Sequence, residues 1–206
     1  SLLRSTTGIG NLAIGSYTLY YNTTGTFNIA LGYSSMLNNT IGTNNTAIGY
    51  SAGPASTATN LTNTTTIGYL AEVSFSNNVR IGNNAITSIG GYASWTNLSD
   101  LRDKKDIESL DAGLNFINVL NPVKFVWNVR NNGKKDIPEV GFIAQELLEA
   151  QKDTGISVPG LVNDEDPNQL FMSSSALIPI LVKAVQELTA KITVLETELN
   201  NLKSNK

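Results

Sequence analysis

The C-terminal segment, residues 176–206, carries the most regular hydrophobic pattern of the chain. Its apolar residues recur at alternating steps of three and four, the spacing of a heptad repeat. The a positions are Ile178, Val185, Ile192 and Leu199, and the d positions are Leu181, Leu188, Leu195 and Leu202. Lys191 could pair with Glu196 of a neighbour, and Glu198 with Lys203, as in parallel helices in register. The pattern predicts a parallel coiled coil rather than one amphipathic helix on a globular core.

Residues 1–98 contain a short repeated phrase. The phrase combines Asn, Ala, an apolar residue, Gly and Tyr, and its apolar-Gly pair recurs in steps of 17, 17, 19 and 14 residues. The apolar members are Ile14, Leu31, Ile48, Ile67 and Ile81. Each unit predicts a short strand and an Asn/Thr/Gly turn, with the glycine at a bend or a close backbone approach. Such a unit cannot bury its apolar face alone, so we expect the copies to stack and the chains to associate.

These repeats resemble the head repeats of trimeric adhesins and phage fibres, in which short Asn-x-Ala-Ile-Gly phrases build a trimeric β-roll. The resemblance covers roughly residues 8–83 and implies a β-roll or β-helical segment made by three chains. The alternative is a disordered linker rich in Ser, Thr, Asn and Gly. The regular Ile-Gly-Tyr spacing weighs against that alternative.

The stretch between the repeats and the heptads is typical of a small α+β unit. Asp111 is a candidate cap for a helix that ends before Pro122. Val123–Trp127 alternates like a strand, Asn131–Gly133 predicts a hairpin turn, and residues 144–150 predict a short helix. We therefore expect a mixed fold, with an α+β core over residues 99–175 and the coiled coil after it.

Charge divides the chain near Ser99. The sequence has 14 Lys and Arg, 17 Asp and Glu, and a net charge of −3, but Arg4, Glu72 and Arg80 are the only charged residues before position 99. An almost uncharged half suits the inside of a fibre made of associated chains, where unpaired ions are costly. The sequence therefore predicts two domains, residues 1–98 and residues 99–206.

The composition excludes several classes of function. Net negative charge argues against a nucleic-acid partner, and no apolar stretch approaches the roughly 18 residues of a membrane span. Without Cys or His there is no disulfide scaffold, thiolate catalysis, Cys-ligated zinc or Ser-His-Asp triad, and we expect no cofactor or metal. The chain starts at Ser1 without Met or a signal pattern, so we expect it to be the C-terminal fragment of a longer protein.

Four motifs make the charged half resemble the endosialidase-type intramolecular chaperone family, the self-cleaving C-terminal domain of phage tailspikes and tail fibres. In chain order they are Ser99–Lys104 followed by Ile107, Leu120–Trp127, Val140–Glu146 and Ala176–Glu187. The specific part is the combination of Ser-Asp-Leu-Arg-Asp-Lys at the junction with Gly-Phe-Ile-Ala-Gln-Glu further on. Residues 163–175 fit less well, because the family pattern would place a Tyr near Ser174.

The resemblance implies that Ser99 is a nucleophile, that Lys104 is its base, and that the chain is cut between Leu98 and Ser99. The supporting junction residues are Asp100, Arg102 and Ile107. A Ser–Lys pair activates a hydroxyl without histidine. A lysine has a reference pKa of about 10.4, so a lysine base near neutral pH needs burial or nearby cations to lower it by roughly 3, or about 4 kcal/mol. Five residues place the two side chains on different faces of a helix or strand; either a turn or a lysine from a neighbouring chain is required.

The predicted function is an intramolecular chaperone of a homotrimeric phage tail fibre or tailspike. The protein would fold in the host cytoplasm and then belong to the virion, with a host-cell receptor or glycan as a further partner. β-branched a positions with Leu at d ordinarily favour two strands, but the upstream repeats are expected to fix three. The alternative is a permanent, non-catalytic trimerisation cap of a viral or bacterial adhesin, in which Ser99 only caps a helix.

A hydrolase acting on an external glycan has little support from the sequence. Such enzymes need a pair of carboxylates, and Glu72 is the only acid in the repeats. The run Asp164–Asp166 is interpreted as a solvated loop rather than a metal site.

Overall fold

A computed structural model describes residues 2–130 and 133–204. The chain divides into two compact units. One contains Ser1–Gly90 and Val126–Ile137, and the other contains Gly91–Phe125 and Pro138–Lys206. Two residues of the predicted hairpin turn, Asn131 and Asn132, lie outside the described residues.

The first unit is a β-solenoid-like stack of short parallel strands. In chain order they are β1 (Leu12–Ile14), β2 (Ile29–Leu31), β3 (Thr46–Ile48), β4 (Gly53–Pro54), β5 (Thr65–Ile67), β6 (Glu72–Val73) and β7 (Val79–Ile81). Five of them form one sheet in the order β1-β2-β3-β5-β7, and β4 pairs with β6. Ile14, Leu31, Ile48, Ile67 and Ile81 lie in register across that sheet. The repeat read from the sequence is therefore confirmed as one coil of the stack per phrase.

An apolar cluster of alanines with Leu19 and Met36, together with amide side chains, fills the inside of the coils. Ala30 and Ala47, at the centres of their strands, are fully buried, while the flanking apolar residues face outward. An asparagine ladder runs beside the strands: Asn28 donates through its backbone N and its Nδ2 to Asn11 Oδ1, at 2.9 and 3.1 Å, and Asn45 N donates to Asn28 Oδ1 at 3.1 Å. The interior therefore relies on paired amides, which satisfy buried polar groups without charge.

Glycine after the apolar residue is explained by the stacking of the coils. Gly32 has φ +122°, and a Cβ there would lie 2.6 Å from the carbonyl oxygen of Gly49 in the next coil. The position therefore needs glycine both for its backbone conformation and for the close approach. Both reasons given from the sequence apply.

The remaining helices and strands are α1 (Leu114–Ile117), β8 (Val123–Asn128), β9 (Lys135–Gly141), α2 (Ala144–Thr154), β10 (Val162–Asn163), β11 (Phe171–Met172) and α3 (Leu177–Ser204). β8 and β9 form one two-stranded sheet, and β10 and β11 form another. The core of the second unit consists of Ala112, Phe116, Leu147, Ala150, Ile156, Val158, Leu161, Leu177 and Ile180. This mixture of helices with short strand pairs agrees with the predicted α+β character.

One predicted helix start is wrong. The helix expected from Asp111 is the single turn α1, which begins at Leu114 with Gly113 as its N-cap residue. Gly113 has no side chain to act as a cap, and the acceptor comes from far along the chain: Glu187 Oε2 accepts a hydrogen bond from Leu114 N at 2.8 Å. A distant carboxylate therefore takes the role that the sequence assigned to a local aspartate.

Helix α3 has two apolar faces with different surroundings. Near its start, Leu177, Ile180 and Ala184 are buried, with Leu177 and Ile180 belonging to the core of the second unit. The eight heptad residues, from Ile178 to Leu202, are instead 46–67% exposed in the single chain. Within residues 2–130 and 133–204, no helix combines the length and the apolar character that crossing a membrane requires.

Candidate functional site

The junction motif forms a capped turn. Residues Leu101–Asp103 form one turn of 3-10 helix, and the Asp100 carboxylate accepts a hydrogen bond from Arg102 N at 2.9 Å. The turn closes when Lys104 N donates to the carbonyl oxygen of Leu101. Asp100 and Lys104 have extended backbone on either side. The chain therefore leaves Ser99 extended, reverses through one turn and emerges again at Lys104.

This turn brings together Ser99 and Lys104, to which the resemblance assigns the roles of nucleophile and base. Lys104 Nζ donates a hydrogen bond to Ser99 Oγ at 2.7 Å within one chain. Neither a regular helix nor a strand would allow this contact at a spacing of five. Of the two arrangements that the sequence left open, a turn and a lysine from a neighbouring chain, the structure has the turn.

Asp100 and Arg102 reinforce the turn through their side chains. Arg102 donates from Nε to Asp100 Oδ1 at 3.0 Å and from Nη2 to Oδ2 at 2.6 Å, a two-pronged ion pair. The hydrogen bonds from the Arg102 side chain and backbone lower the pKa of the Asp100 carboxyl below its ordinary value. The carboxylate stays ionised near neutral pH, so both the cap and the ion pair persist there. These two supporting residues hold the backbone between Ser99 and Lys104.

The junction lies open to solvent in the single chain. Ser99 and Lys104 are exposed, Leu98 is 81% exposed, and Leu101 and Ile107 are 71% and 64% exposed. Ile107 follows Asp106, whose φ is +52°, and it makes no part of the Ser99–Lys104 contact. The single chain thus supplies the geometry of the pair but not its burial.

Glu187 is a positioning residue that sequence reasoning missed. Its carboxylate lies so close to Gly113 that a Cβ there would fall 2.5 Å from both carboxylate oxygens, and Lys183 Nζ is 4.0 Å from its Oε1. Glu187 thereby ties α3 to the start of α1. In the sequence, a glycine directly before a short apolar segment indicated a helix start without a side-chain cap. Nothing in the sequence indicated that Glu187, 73 residues after Leu114, supplies the acceptor.

The acidic run after β10 behaves as a loop. Asp164 and Glu165 are exposed, and Asp166 Oδ1 accepts a hydrogen bond from Asn168 N at 2.9 Å. Within the part of the chain that the structure describes, no group of three or more His, Cys, Asp or Glu side chains is placed to hold a metal ion.

Comparison with known families gives a match for the segment that begins at the junction. The Peptidase_S74 family model, described as chaperone of endosialidase, matches residues 99–156. The match begins at Ser99 and contains three of the four motifs, while the fourth, Ala176–Glu187, lies beyond it. Comparisons with curated proteins and with solved structures gave no match. Residues 99–156 are therefore similar to a family of chaperone domains of the self-cleaving serine peptidase type.

Proposed function

We propose that residues 99–206 are the intramolecular chaperone of a trimeric tail fibre or tailspike and that the chain cuts itself once, between Leu98 and Ser99. The observation that carries the proposal is the 2.7 Å contact between Lys104 Nζ and Ser99 Oγ, at the first residues of the range that matches the chaperone family. A permanent trimerisation cap would not require the amine of Lys104 to contact the hydroxyl of Ser99.

The proposed cleavage uses only these two side chains and water. Neutral Lys104 takes the hydroxyl proton of Ser99, and Ser99 Oγ attacks the carbonyl carbon of Leu98. The C–N bond between Leu98 and Ser99 breaks, its nitrogen takes up a proton, and Leu98 becomes an ester on Ser99 Oγ. Water then hydrolyses the ester. The products are a carboxylate at Leu98 and a free amino group and hydroxyl at Ser99.

The exposed junction makes this chemistry dependent on assembly. A lysine base near neutral pH needs an environment that disfavours its charged form, and Lys104 and its neighbours Leu98 and Leu101 are exposed in the single chain. Contacts with other copies would supply that burial. Cleavage would then occur after assembly instead of preceding it.

A chaperone would serve to align the repeats of the three chains in the correct register. The five strands of the larger solenoid sheet are each three residues long and similar in sequence, three with a central Ala and four ending in Ile, so a slip by one repeat would cost little. The exposed heptad face of α3 could align three chains in parallel before the repeats associate, through Lys191–Glu196 and Glu198–Lys203 pairs between neighbours. Tying three termini together also raises the local concentration of the repeats.

The outer face of the solenoid supports association between copies. Ile14, Ile48, Ile67 and Ile81 lie in one file across the sheet and are exposed in the single chain. Such a row of uncovered apolar residues is typical of an interface. The chains would fold in the host cytoplasm before virion assembly. The trimer would then form a fibre of the virion and present its outer surface to a host-cell receptor or glycan.

Denaturing electrophoresis of freshly expressed protein tests the proposal. Wild-type protein is expected to give fragments of 98 and 108 residues, with Ser99 as the new N-terminus. Ser99→Ala and Lys104→Ala are expected to give one intact band. Lys105→Ala is the matched control, because Lys105 is the adjacent exposed lysine and its nearest acid is Asp106 at 3.9 Å; this variant should be cut like the wild type.

A wild-type protein that assembles into trimers but stays intact would contradict self-cleavage. That result would favour the alternative, a permanent cap in which Ser99 and Asp100 only begin a turn. Native mass measured on the same sample gives the number of chains, so loss of assembly and loss of cleavage are distinguished.

A further inference from the structure

The segment between the last solenoid strand and the junction has a period of three. Its large apolar residues are Ile86, Ile89, Tyr92, Trp95 and Leu98. Every residue between Ile86 and Leu98 that is not one of these is Ala, Gly, Ser, Thr or Asn, and no charged residue occurs between Arg80 and Asp100. The pattern is therefore one apolar and two small or polar positions, repeated without interruption up to the proposed scissile bond.

A period of three does not fit a strand, which repeats every two residues, or an α-helix, which repeats every 3.6. It fits an extended chain that twists by three residues per turn, because every third side chain then lies on the same edge. In the single chain, residues 82–100, all of them described, contain no helix or strand, and residues 92 and 93 form a bend. An extended chain of this kind has no internal hydrogen bonds and cannot cover its own apolar edge.

The apolar edge is uncovered in the single chain. The side chain of Ile86 lies against Gly82, and it is still 46% exposed. Ile89 is 61%, Trp95 84% and Leu98 81% exposed, and Tyr92 is fully exposed. Leaving four large apolar side chains in water in one short segment is unfavourable, so this edge requires a partner.

We propose that residues 86–98 form a three-chain stem, in which Ile89, Tyr92, Trp95 and Leu98 of each copy face a common axis. The apolar edge of each copy packs against the same segment of two other copies. Identical segments have the same repeat and therefore match at every third residue when aligned, and their lack of charge avoids the repulsion that like charges would cause. The proposal rests on the trimer of the proposed function and adds the residues that meet at the axis.

The position of the segment in the chain supports packing against further copies of itself. The segment directly follows the solenoid, whose outer Ile file is exposed, and the second unit ends in the exposed heptad face of α3. If three copies associate through either of these faces, three copies of the segment are brought together as well.

The absence of cysteine in the chain allows a direct test by single-cysteine scanning. Each residue from Gly91 to Leu98 is replaced by Cys, one at a time, in the full chain carrying Ser99→Ala so that the segment stays joined to both domains. After mild oxidation, the disulfide-linked fraction is measured on a non-reducing gel. Trp95→Cys and its neighbour Ser94→Cys form the matched pair, since both sites are exposed in the single chain.

The expected result is a maximum at every third position. Cysteines bridge only when their Cα atoms lie within about 7 Å, so cross-linking at 92, 95 and 98 should be about tenfold faster than at the positions between them. Labelling by a thiol-reactive maleimide should show the inverse pattern, slow at 92, 95 and 98. The variants at 92, 95 and 98 each lose one of the four apolar side chains, and a native mass measurement checks that every variant still assembles.

Three outcomes would overturn the stem. Maxima at every second position would mean paired strands, uniform cross-linking would mean an unstructured segment, and trimers without cross-links would mean that the segments lie apart. In all three cases cleavage of the Ser99 form and the trimeric mass could remain, and the proposed function would stand without the stem. A monomeric mass for the wild type would overturn both.

Discussion

Lys104 Nζ donates a 2.7 Å hydrogen bond to Ser99 Oγ across one turn of 3-10 helix. The proposed cleavage needs the same two atoms with the proton moving from oxygen to nitrogen, and the distance suits either direction of transfer. Only a neutral amine can accept that proton.

Cleavage is therefore expected to accelerate with pH. A general base accepts a proton only in its neutral form, and a higher pH favours that form, so the cleavage rate should rise with pH. The measurement is the intact fraction on denaturing gels after refolding at pH 6 to 9. Lys104→Arg keeps the charge but cannot supply a neutral amine and should stay intact throughout. A rate that falls with pH would contradict a lysine base.

Asp100→Asn is expected to slow cleavage several-fold while leaving assembly unchanged, because it removes the two-pronged ion pair with Arg102 that holds the turn. Asp103→Asn, in the same turn and exposed, is the control. The pKa of Asp100 is lowered in the folded protein, so its stabilisation is complete above the ordinary value of 3.8 and is lost only as the pH falls through the lowered pKa. Equal rates for both variants would show that the ion pair is unimportant.

The heptad face of α3 is expected to be required for the chains to associate. Leu195→Asp puts a charge on the proposed seam and should reduce the native mass to that of a monomer and prevent cleavage. Val194→Asp introduces the same charge one residue away, off the seam, and should change neither. Both residues are more than half exposed in the single chain, so the single chain alone gives no reason for them to differ. Identical behaviour of the two variants would argue against a coiled coil.

The contact between Glu187 and the start of α1 is expected to contribute to the stability of the second unit. Glu187→Ala leaves Leu114 N without its acceptor and should cost about 1–3 kcal/mol in urea unfolding. Gly113→Ala should also destabilise, because the new methyl meets the Glu187 carboxylate. In the double variant, Gly113→Ala should lower the free energy of unfolding by less than it does alone, because the carboxylate that the new methyl would meet is absent. Glu196→Ala, exposed on the same helix, is the control, and additive costs would contradict the contact.

The asparagine ladder is expected to be essential for the solenoid. Asn28 is fully buried, donates to Asn11 and to the carbonyl of Gly42, and accepts from Asn45 N. Asn28→Ala should therefore lower the free energy of unfolding by about 2–4 kcal/mol, the cost of unpaired buried groups. Asn60→Ala, at an exposed turn, should change it little. Circular dichroism during thermal unfolding measures both, and a neutral Asn28→Ala would show that the ladder does not support the coils.

The repeat spacing was sufficient to predict the register of the solenoid, because each coil must stack on the next at the same phrase. It did not reveal the interior. The coil from Ile48 to Ile67 is longer than the first two, and its Ala55, Ala58 and Leu61 form a separate apolar cluster with Val73 of the next coil. Ala58 stands where the two earlier coils have Asn22 and Asn39, whose side chains are hydrogen-bonded to each other. Which residues fill a coil depends on the neighbouring coils, so a single repeat does not contain that information.

By itself the sequence determined what is local and periodic: the strand in each phrase, the strand at β8, the helix at α2 and the heptad positions of α3. These arise from backbone preferences and side-chain spacing within a few residues. Only the tertiary structure decided that one turn joins Lys104 to Ser99 and that Glu187, rather than Asp111, satisfies the start of α1. A turn conformation and a contact across 73 residues depend on how distant segments pack together, which no local pattern specifies.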